Sequence, residues 1–201
     1  MNERTGIFSG DDPFEIARRW LDDARAVEVN DPDAAALATV DASGMPNVRI
    51  VLMRDIEPGG FIFYTNYTSA KGTEIAATSV AALVLYWKSL HRQIRARGKV
   101  EKVSVQQSDA YFNTRPVQSR VGAWASQQSQ PLADRDTLMA EVERLSEELG
   151  DTPARPCHWG GYRIVPTEME FWADGAYRLH DRFRWTRQDA AADWTIKRLY
   201  P

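Results

Sequence analysis

Arg178, His180 and Arg182 fall at every second position of the segment Arg178-Leu179-His180-Asp181-Arg182. On a β-strand alternate side chains share a face, so this spacing predicts all three on one side of a sheet. Cations held side by side repel each other unless something anionic or electron-rich lies opposite. Two readings fit the pattern. Either the charges guard a solvated edge strand against aggregation, or they face an anionic or aromatic ligand. Glu170-Phe171-Trp172, just upstream, is an apolar strand that adds an indole to the same neighbourhood.

Other groups of residues also have anion-binding chemistry. Tyr64-Thr65-Asn66 ends one apolar stretch, and Ser69-Ala70-Lys71-Gly72 opens a helix. Hydroxyls, a lysine and the free N–H groups of a helix start suit a phosphate. Tyr111, Arg115 and Ser119 are spaced by four, one helical face if the helix continues, and supply three donors for a phosphate monoester. Pro116 implies a kink or break there, and a polar surface stripe is the competing reading. Arg49 and Arg54 bracket Ile50-Val51-Leu52-Met53. Five apart on a strand, they face opposite sides unless a bulge intervenes. Gly122-Ala123-Trp124-Ala125-Ser126-Gln127-Gln128-Ser129 carries no charge and places amides and hydroxyls beside an indole. Such groups, and Gln93 on a long strand, can read the polar edge of a heterocycle or simply bond to backbone.

Several function classes are excluded or disfavoured. The 201 residues carry a formal net charge of -3, which argues against nucleic acid as a bulk electrostatic partner. One cysteine, Cys157, allows no internal disulfide and no cysteine-rich zinc site, and three scattered histidines argue against any metal site. The first residues lack the basic and apolar regions of a signal peptide, and no apolar run is long enough to span a membrane. A cytoplasmic protein is expected. There is no Walker or Rossmann glycine pattern, no Ser/His/acid triad and no paired carboxylates. A chain poor in acid–base groups and rich in phosphate and ring contacts fits a protein whose cofactor carries the chemistry.

The elements that must position these residues follow from periodicity. Residues 1–11 are expected to be disordered. Asp12-Pro13 caps a helix with Phe14, Ala17, Trp20, Leu21 and Ala24 on one face. Strands are predicted at 34–40, 48–54 and 61–65, a helix at 69–78, and an apolar strand at 80–87 that should be buried on both faces. A long strand spans 93–103. A capping box at Ser104 opens a helix to Asn113, and a clear helix runs 134–149. The last strands fall at 161–165, 168–172, 179–186 and 194–199. Strands in antiparallel runs with helices inserted between them predict a mainly β single domain over 1–201, a closed or partly closed antiparallel barrel with peripheral helices.

Taken in order, the motifs resemble the pyridoxine (pyridoxamine) 5'-phosphate oxidase family, from about Pro13 to Pro201. They are Arg-Ile-Val-Leu-Met-Arg at 49–54, Phe-Tyr-Thr-Asn at 63–66, Ser-Ala-Lys-Gly at 69–72, Arg-Gln at 92–93, Tyr-Phe-x-x-Arg-Pro at 111–116, Gly-Ala-Trp-Ala-Ser-x-Gln-Ser at 122–129, Glu-Phe-Trp…Arg-Leu-His-Asp-Arg at 170–182, and Arg-Leu-x-Pro at 198–201. Each fragment is weak alone; the ordered set is specific.

The resemblance implies a split β-barrel homodimer with FMN at the subunit interface. It implies oxidation of pyridoxine or pyridoxamine 5'-phosphate to pyridoxal 5'-phosphate, with hydride passing from substrate C4' to flavin N5 and dioxygen returning the flavin with release of hydrogen peroxide. By the same resemblance Arg49, Tyr64, Thr65, Lys71, Gln93, Gln128, Ser129, Trp172 and Arg182 are FMN contacts. Arg54, Tyr111, Arg115, Ser119, Arg178 and His180 are substrate contacts, with Arg178 and His180 catalytic over the pyridine ring. The chain departs from the pattern at Arg54, where the family usually has lysine, and at Ala70, where a second basic residue is common. Two alternatives stand beside this reading: a flavin oxidase of the phenazine-pathway type acting on another aromatic substrate, and a non-catalytic module that binds FMN or pyridoxal phosphate. The intact Tyr111/Arg115/Ser119 trio weighs against the first, and Arg178 with His180 against the second.

Overall fold

The structure is a computed structural model, and it describes residues 4–201. Helix α1 (Pro13–Val27) starts where the sequence caps it: Asp12 accepts from the Phe14 amide at 2.8 Å, and Pro13 occupies the first turn. Its apolar face buries Phe14, Ile16, Ala17, Trp20, Leu21 and Ala24. Trp20 is fully buried, meets Phe171 edge-on at 5.2 Å, and donates its indole N–H to the Ile7 carbonyl at 2.8 Å. That bond belongs to a docked N-terminal segment, which corrects the expectation of disorder at residues 4–11. Gly6–Phe8 form a 3-10 turn, and Phe8 packs buried against Trp20 and Phe183. Residues 1–3 of that expectation lie outside the described residues.

One antiparallel sheet of nine strands forms the rest of the frame. The strands are β1 (Ala34–Val40), β2 (Pro46–Leu52), β3 (Asp55–Glu57), β4 (Gly60–Asn66), β5 (Val80–Trp87), β6 (Arg92–Lys102), β7 (Trp159–Ala173), β8 (Asp181–Thr186) and β9 (Thr195–Arg198). They pair in the order β2-β1-β5-β6-β7-β4-β3, with β8 added to β7 and β9 to β8. The chain ends of this path approach each other where the Arg54 amide donates to the Ile62 carbonyl at 2.8 Å. The sheet thus curls into a partly closed barrel.

Strand β7 decides the architecture. The segments expected as two strands, 161–165 and 168–172, are one continuous strand, because β6 pairs along it through a bulge at Arg97/Gly98 that absorbs the irregularity near Pro166. On its other edge β7 pairs with β4 through residues 159–164 and with β8 through residues 168–173. The sheet therefore splits into two arms, both anchored on one strand, and the fold is a mainly β split barrel.

Strand β5 corrects another expectation. It alternates rather than burying both faces: Ala81, Leu83, Leu85 and Trp87 are buried, while Val80 and Tyr86 are exposed. Its inner face packs in the core with α1, and its outer face remains open. Peripheral helices are α2 (Ala70–Thr78), α3 (Val105–Thr114), α4 (Val117–Ala125) and α5 (Arg135–Leu149). No helix is long and apolar enough to cross a membrane among the described residues.

Candidate active site

At the N-terminal end of β7 a cleft of about 480 Å³ gathers residues from β2, β4, α2, α3 and α4. The sequence builds its floor by removing side chains. A Cβ on Gly161 would lie 2.6 Å from Val103 and 2.8 Å from Tyr64, and one on Gly160 would lie 2.1 Å from the Tyr67 hydroxyl. Two glycines after Trp159 let these rings approach the strand. Tyr64 then stacks on Tyr111 at 3.9 Å and 14°, and Trp159 lies nearly parallel to both. Burial, with Tyr111 beside it, pushes the Tyr64 phenol up to about 12, so it stays a neutral donor across the physiological range.

Helix α2 begins at the cleft. Ser69 caps it, its hydroxyl accepting from the Gly72 amide at 3.3 Å. Lys71, the second helical residue, is buried, and its Nζ reaches the Thr65 hydroxyl at 3.3 Å and the Ser69 hydroxyl at 3.5 Å. It forms no ion pair among the described residues. Burial first, and the Arg49 charge second, lower its pKa. A buried ammonium held only by hydroxyls beside a helix start is a seat for an anion.

The second cation of the cleft is Arg115. Helix α3 stops at Thr114 and α4 restarts at Val117, so Arg115-Pro116 breaks the helix as the sequence indicated. Even so, Tyr111, Arg115 and Ser119 all line the cleft. The Arg115 guanidinium lies over the Trp159 ring at 4.7 Å. Its Nη1 is buried without a hydrogen-bond partner among the described residues, and burial lowers its pKa. Arg54 also lines the cleft, and its Nη1 donates to Asp33 at 2.9 Å. It sits beyond the end of β2, which stops at Leu52, so strand parity with Arg49 does not govern it.

Arg49 points away from the open cleft. It pairs with Glu74 of α2 at 2.9 Å and donates to Thr39. Burial would push the Glu74 carboxyl up, but hydrogen bonds from Thr39, Asn47 and Arg49 outweigh it and hold Glu74 below its ordinary value. Gln128 lines the cleft and accepts from the Thr65 hydroxyl at 3.0 Å. Ser129, at φ 75, lines a neighbouring groove formed with α5.

The remaining candidates collect at the far end of β7. Gln93, Trp172 and Arg182 form one cross-strand row, since Gln93 pairs with Trp172 and Trp172 with Arg182. Arg182 donates from Nε and Nη2 to buried Glu170, at 2.9 and 2.7 Å, and from Nη1 to the Tyr200 carbonyl. The His180 ring lies 4.7 Å from Trp172, and its Nδ1 is 3.0 Å from Asp174. Arg178, His180 and Arg182 do not alternate on one strand face. Strand β8 begins at Asp181, and Arg178 lies in a 3-10 turn with φ 65, next to Tyr177 at φ 58. The alternation of the three cations suits a strand from 179, and the left-handed residues Tyr177 and Arg178 are not glycines, so no local signal marks the turn that precedes Asp181.

Sequence reasoning missed Trp159 and the Ile50–Leu52 strand edge as cleft walls. The Trp159-Gly160-Gly161 run was the available signal for close approach. It also missed Glu74 and Asp33, which reach Arg49 and Arg54 from elements distant in sequence, and Asp174, which meets His180 across one folded loop.

A family model described as pyridoxamine 5'-phosphate oxidase matches residues 21–148, and one described as the pyridoxine 5'-phosphate oxidase C-terminal dimerisation region matches residues 159–201. The chain is 60% identical over 201 residues, covering all of both chains, to a pyridoxine/pyridoxamine 5'-phosphate oxidase of Ruegeria sp. (strain TM1040). It is 63% identical over 191 residues to one of Paracoccus denitrificans (strain Pd 1222), covering 93% of this chain and 87% of that one. Among solved structures, PhzG from Burkholderia lata 383, in complex with tetrahydrophenazine-1-carboxylic acid, superposes with a TM-score of 0.89 at 35% identity, covering 96% of this chain and 94% of that one. An FMN-binding protein from Nostoc punctiforme, related to pyridoxamine 5'-phosphate oxidase, shares the fold with a TM-score of 0.75 at 18% identity, covering 98% of this chain and 100% of that one.

Proposed function

The chain belongs to the pyridoxamine 5'-phosphate oxidase family, and on that premise we propose that it oxidises pyridoxine and pyridoxamine 5'-phosphate to pyridoxal 5'-phosphate with FMN, as a cytoplasmic homodimer of one FMN-binding domain per chain. The observation that carries this reading is the pair of cleft cations, buried Lys71 and half-buried Arg115, that no carboxylate among the described residues pairs with. Two unpaired cations in one cleft suit two phosphates, one on the cofactor and one on the substrate.

Lys71, Thr65 and the start of α2 would hold the FMN phosphate, with Tyr64 and Gln128 beside them. The donor set fits that group, since a buried ammonium with only hydroxyl neighbours lacks the anion it was built around. Arg49, clasped by Glu74, keeps a second positive charge behind Lys71. Tyr111, Arg115 and Ser119 would take the substrate phosphate, and Arg54 would add charge at the same mouth. FMN, when bound, supplies a two-electron acceptor for hydride from C4' that dioxygen restores with release of hydrogen peroxide. The chain's own part is to position the pyridine, exclude water and oppose the developing charge, a task assigned to Arg178 and His180.

The two-ended arrangement supports the dimer. Gly161, opposite Tyr64, and Trp172 lie eleven residues apart on β7, roughly 35 Å of extended strand. One mononucleotide touching both Lys71 and the row of Gln93, Trp172 and Arg182 is best served by two chains. The outer sheet face that carries this row also exposes Val48, Ile50, Val80 and Tyr86. A second copy on that face would cover these apolar residues and bring its own far-end row to the Ile50–Leu52 edge of the cleft. Ser129 would join the cofactor through that same closure.

The structural likeness to PhzG favours a second reading, a flavin oxidase on a larger aromatic substrate without phosphate. The three phosphate donors Tyr111, Arg115 and Ser119 weigh against it. The purified protein is expected to be yellow, with flavin absorbance bands. Pyridoxine 5'-phosphate under air should yield peroxide and the pyridoxal phosphate spectrum. A yellow protein inert to both phosphorylated substrates overturns the proposal.

A further inference from the structure

Tyr111, Arg115 and Ser119 do not share one helix. Tyr111 lies on α3, the break at Arg115-Pro116 follows, and Ser119 lies on α4. A continuous helix would fix their spacing through its own backbone. A broken one leaves that spacing to whatever the two helices are tied to. The segment 154–158, which leads into β7, is bonded to both. On α4, the Trp124 indole donates to the Ala154 carbonyl at 2.8 Å, and His158 donates from Nε2 to the Ala123 carbonyl at 3.1 Å. On α3 the bond comes from Arg155, which donates from Nε to the Asp109 carboxylate at 2.6 Å.

Arg155 also reaches the strand. Its Nη1 donates to the Trp159 carbonyl at 2.6 Å, so one guanidinium spans from the helix that carries Tyr111 to the first residue of β7. Both bonds have a charged donor in a rigid planar fork, and only 12% of the side chain is exposed. What the strut holds is the platform under the phosphate donors. The Trp159 ring lies under the Arg115 guanidinium at 4.7 Å and within 4° of parallel to the Tyr111 ring. Arg155 itself does not line the cleft, so its influence there passes through Trp159 and α3.

We propose that Arg155 is a positioning residue for the substrate phosphate: by fastening Trp159 to α3 it keeps the Arg115 guanidinium and the Tyr111 hydroxyl aimed at one anion. This rests on the oxidase reading above and deepens it. Without the strut, the stacked Trp159 and Arg115 are free to shift against Tyr111, and the donors no longer converge. Arg178 and His180, assigned to the pyridine ring, belong to the other end of β7. The loss should therefore fall on binding and spare the chemical step.

The test pairs steady-state kinetics of the flavin-loaded protein with equilibrium binding of 4-deoxypyridoxine 5'-phosphate, which keeps the phosphate and lacks the oxidisable hydroxyl. Arg155→Ala should raise KM for pyridoxine 5'-phosphate and Kd for the analogue about tenfold, with kcat within about twofold of the parent. In an Arg115→Ala background the same substitution should add much less, because the strut then has no guanidinium to place. Asp109→Ala removes the α3 end of the strut from a half-exposed position. It should shift KM and Kd in the same direction, and it carries the test if Arg155→Ala does not fold. Parent values of KM and Kd in the folded variants overturn the proposal, as does a loss confined to thermal stability. So do a fall in kcat as large as the rise in KM, and equal factors in the two backgrounds. A parent that binds the analogue, with binding weakened by Arg155→Ala, yet oxidises neither phosphorylated substrate would overturn the oxidase reading and leave the role of Arg155 standing.

Discussion

The two ends of strand β7 handle charge in opposite ways. At the Trp159 end, buried Lys71 and half-buried Arg115 have no carboxylate partners among the described residues, and their neighbours are hydroxyls and aromatic rings. At the Ala173 end, Arg182 is neutralised by buried Glu170 and His180 is met by Asp174. A cation left unbalanced in the free protein is held ready for an incoming anion. A cation balanced from within holds a shape. On the proposed function the first end would be the phosphate site, and the second a wall whose ring and guanidinium groups are kept in fixed positions. Arg178 at the far end is exposed and without an ion-pair partner among the described residues.

Substitutions can break this contrast, and the largest effect is expected in the cleft. On the proposed function Arg115→Ala removes a donor to the substrate phosphate and should raise KM for the phosphorylated substrate about 100-fold, equivalent to about 2.7 kcal/mol, while flavin retention changes little. Kinetics and flavin content of the same preparation check this, and equal loss of flavin would reassign Arg115 to the cofactor. Lys71→Met should give the converse, FMN weakened by about tenfold or more with little added effect on substrate KM once flavin is saturating.

Arg182→Ala sharpens the other side. It leaves buried Glu170 with only Arg95, at 3.9 Å, opposite it, so thermal stability should fall by about 2 kcal/mol and flavin retention with it. Adding Glu170→Gln should recover stability but not flavin. Recovery of both would mean that Arg182 acts only through the fold.

Two smaller effects test the strained turn and the clasp behind Lys71. Tyr177 is almost wholly exposed, at 95%, so Tyr177→Gly loses no packing. Relief of the left-handed strain should slightly exceed the added chain entropy, a net gain of about 0.5 kcal/mol by thermal unfolding. Glu74 is a carboxylate held below its ordinary pKa, so its contribution to stability is present above the unfolded value and lost as pH falls through the depressed one. The Tm difference between Glu74→Gln and the parent should therefore be present near neutrality and close in acid. A difference constant with pH would show that the Arg49–Glu74 pair is not its source.

Much of the frame was legible because local rules agree with the tertiary result. Asp12-Pro13, Ser69, Ser104 and Asp134-to-Gly150 mark helix ends through caps that depend only on adjacent residues. β1 falls at the expected residues, since its alternation reports a half-buried strand directly. The cleft was legible in part for a similar reason: Tyr111, Arg115 and Ser119 lie within one short stretch, and even a helix break leaves them near each other. The far end was less legible. The spacing of Arg178, His180 and Arg182 suits a strand, yet Gly175 folding onto Leu179 turns the first two out of it.

By itself, then, the sequence determined the antiparallel β character, the ends of the side-chain-capped helices (α4, with no such cap, went unpredicted) and the inventory of anion- and ring-binding groups, because each depends on neighbours a few residues away. The tertiary structure alone decided how those groups divide. Only a continuous β7, shared by two arms of the sheet, separates Lys71 and Arg115 from Trp172 and Arg182. Only long-range packing supplies Glu74 to Arg49, Asp33 to Arg54 and Glu170 to Arg182. Whether a buried cation is satisfied or waiting depends on which carboxylate the fold brings within about 3 Å, and no local pattern records that distance.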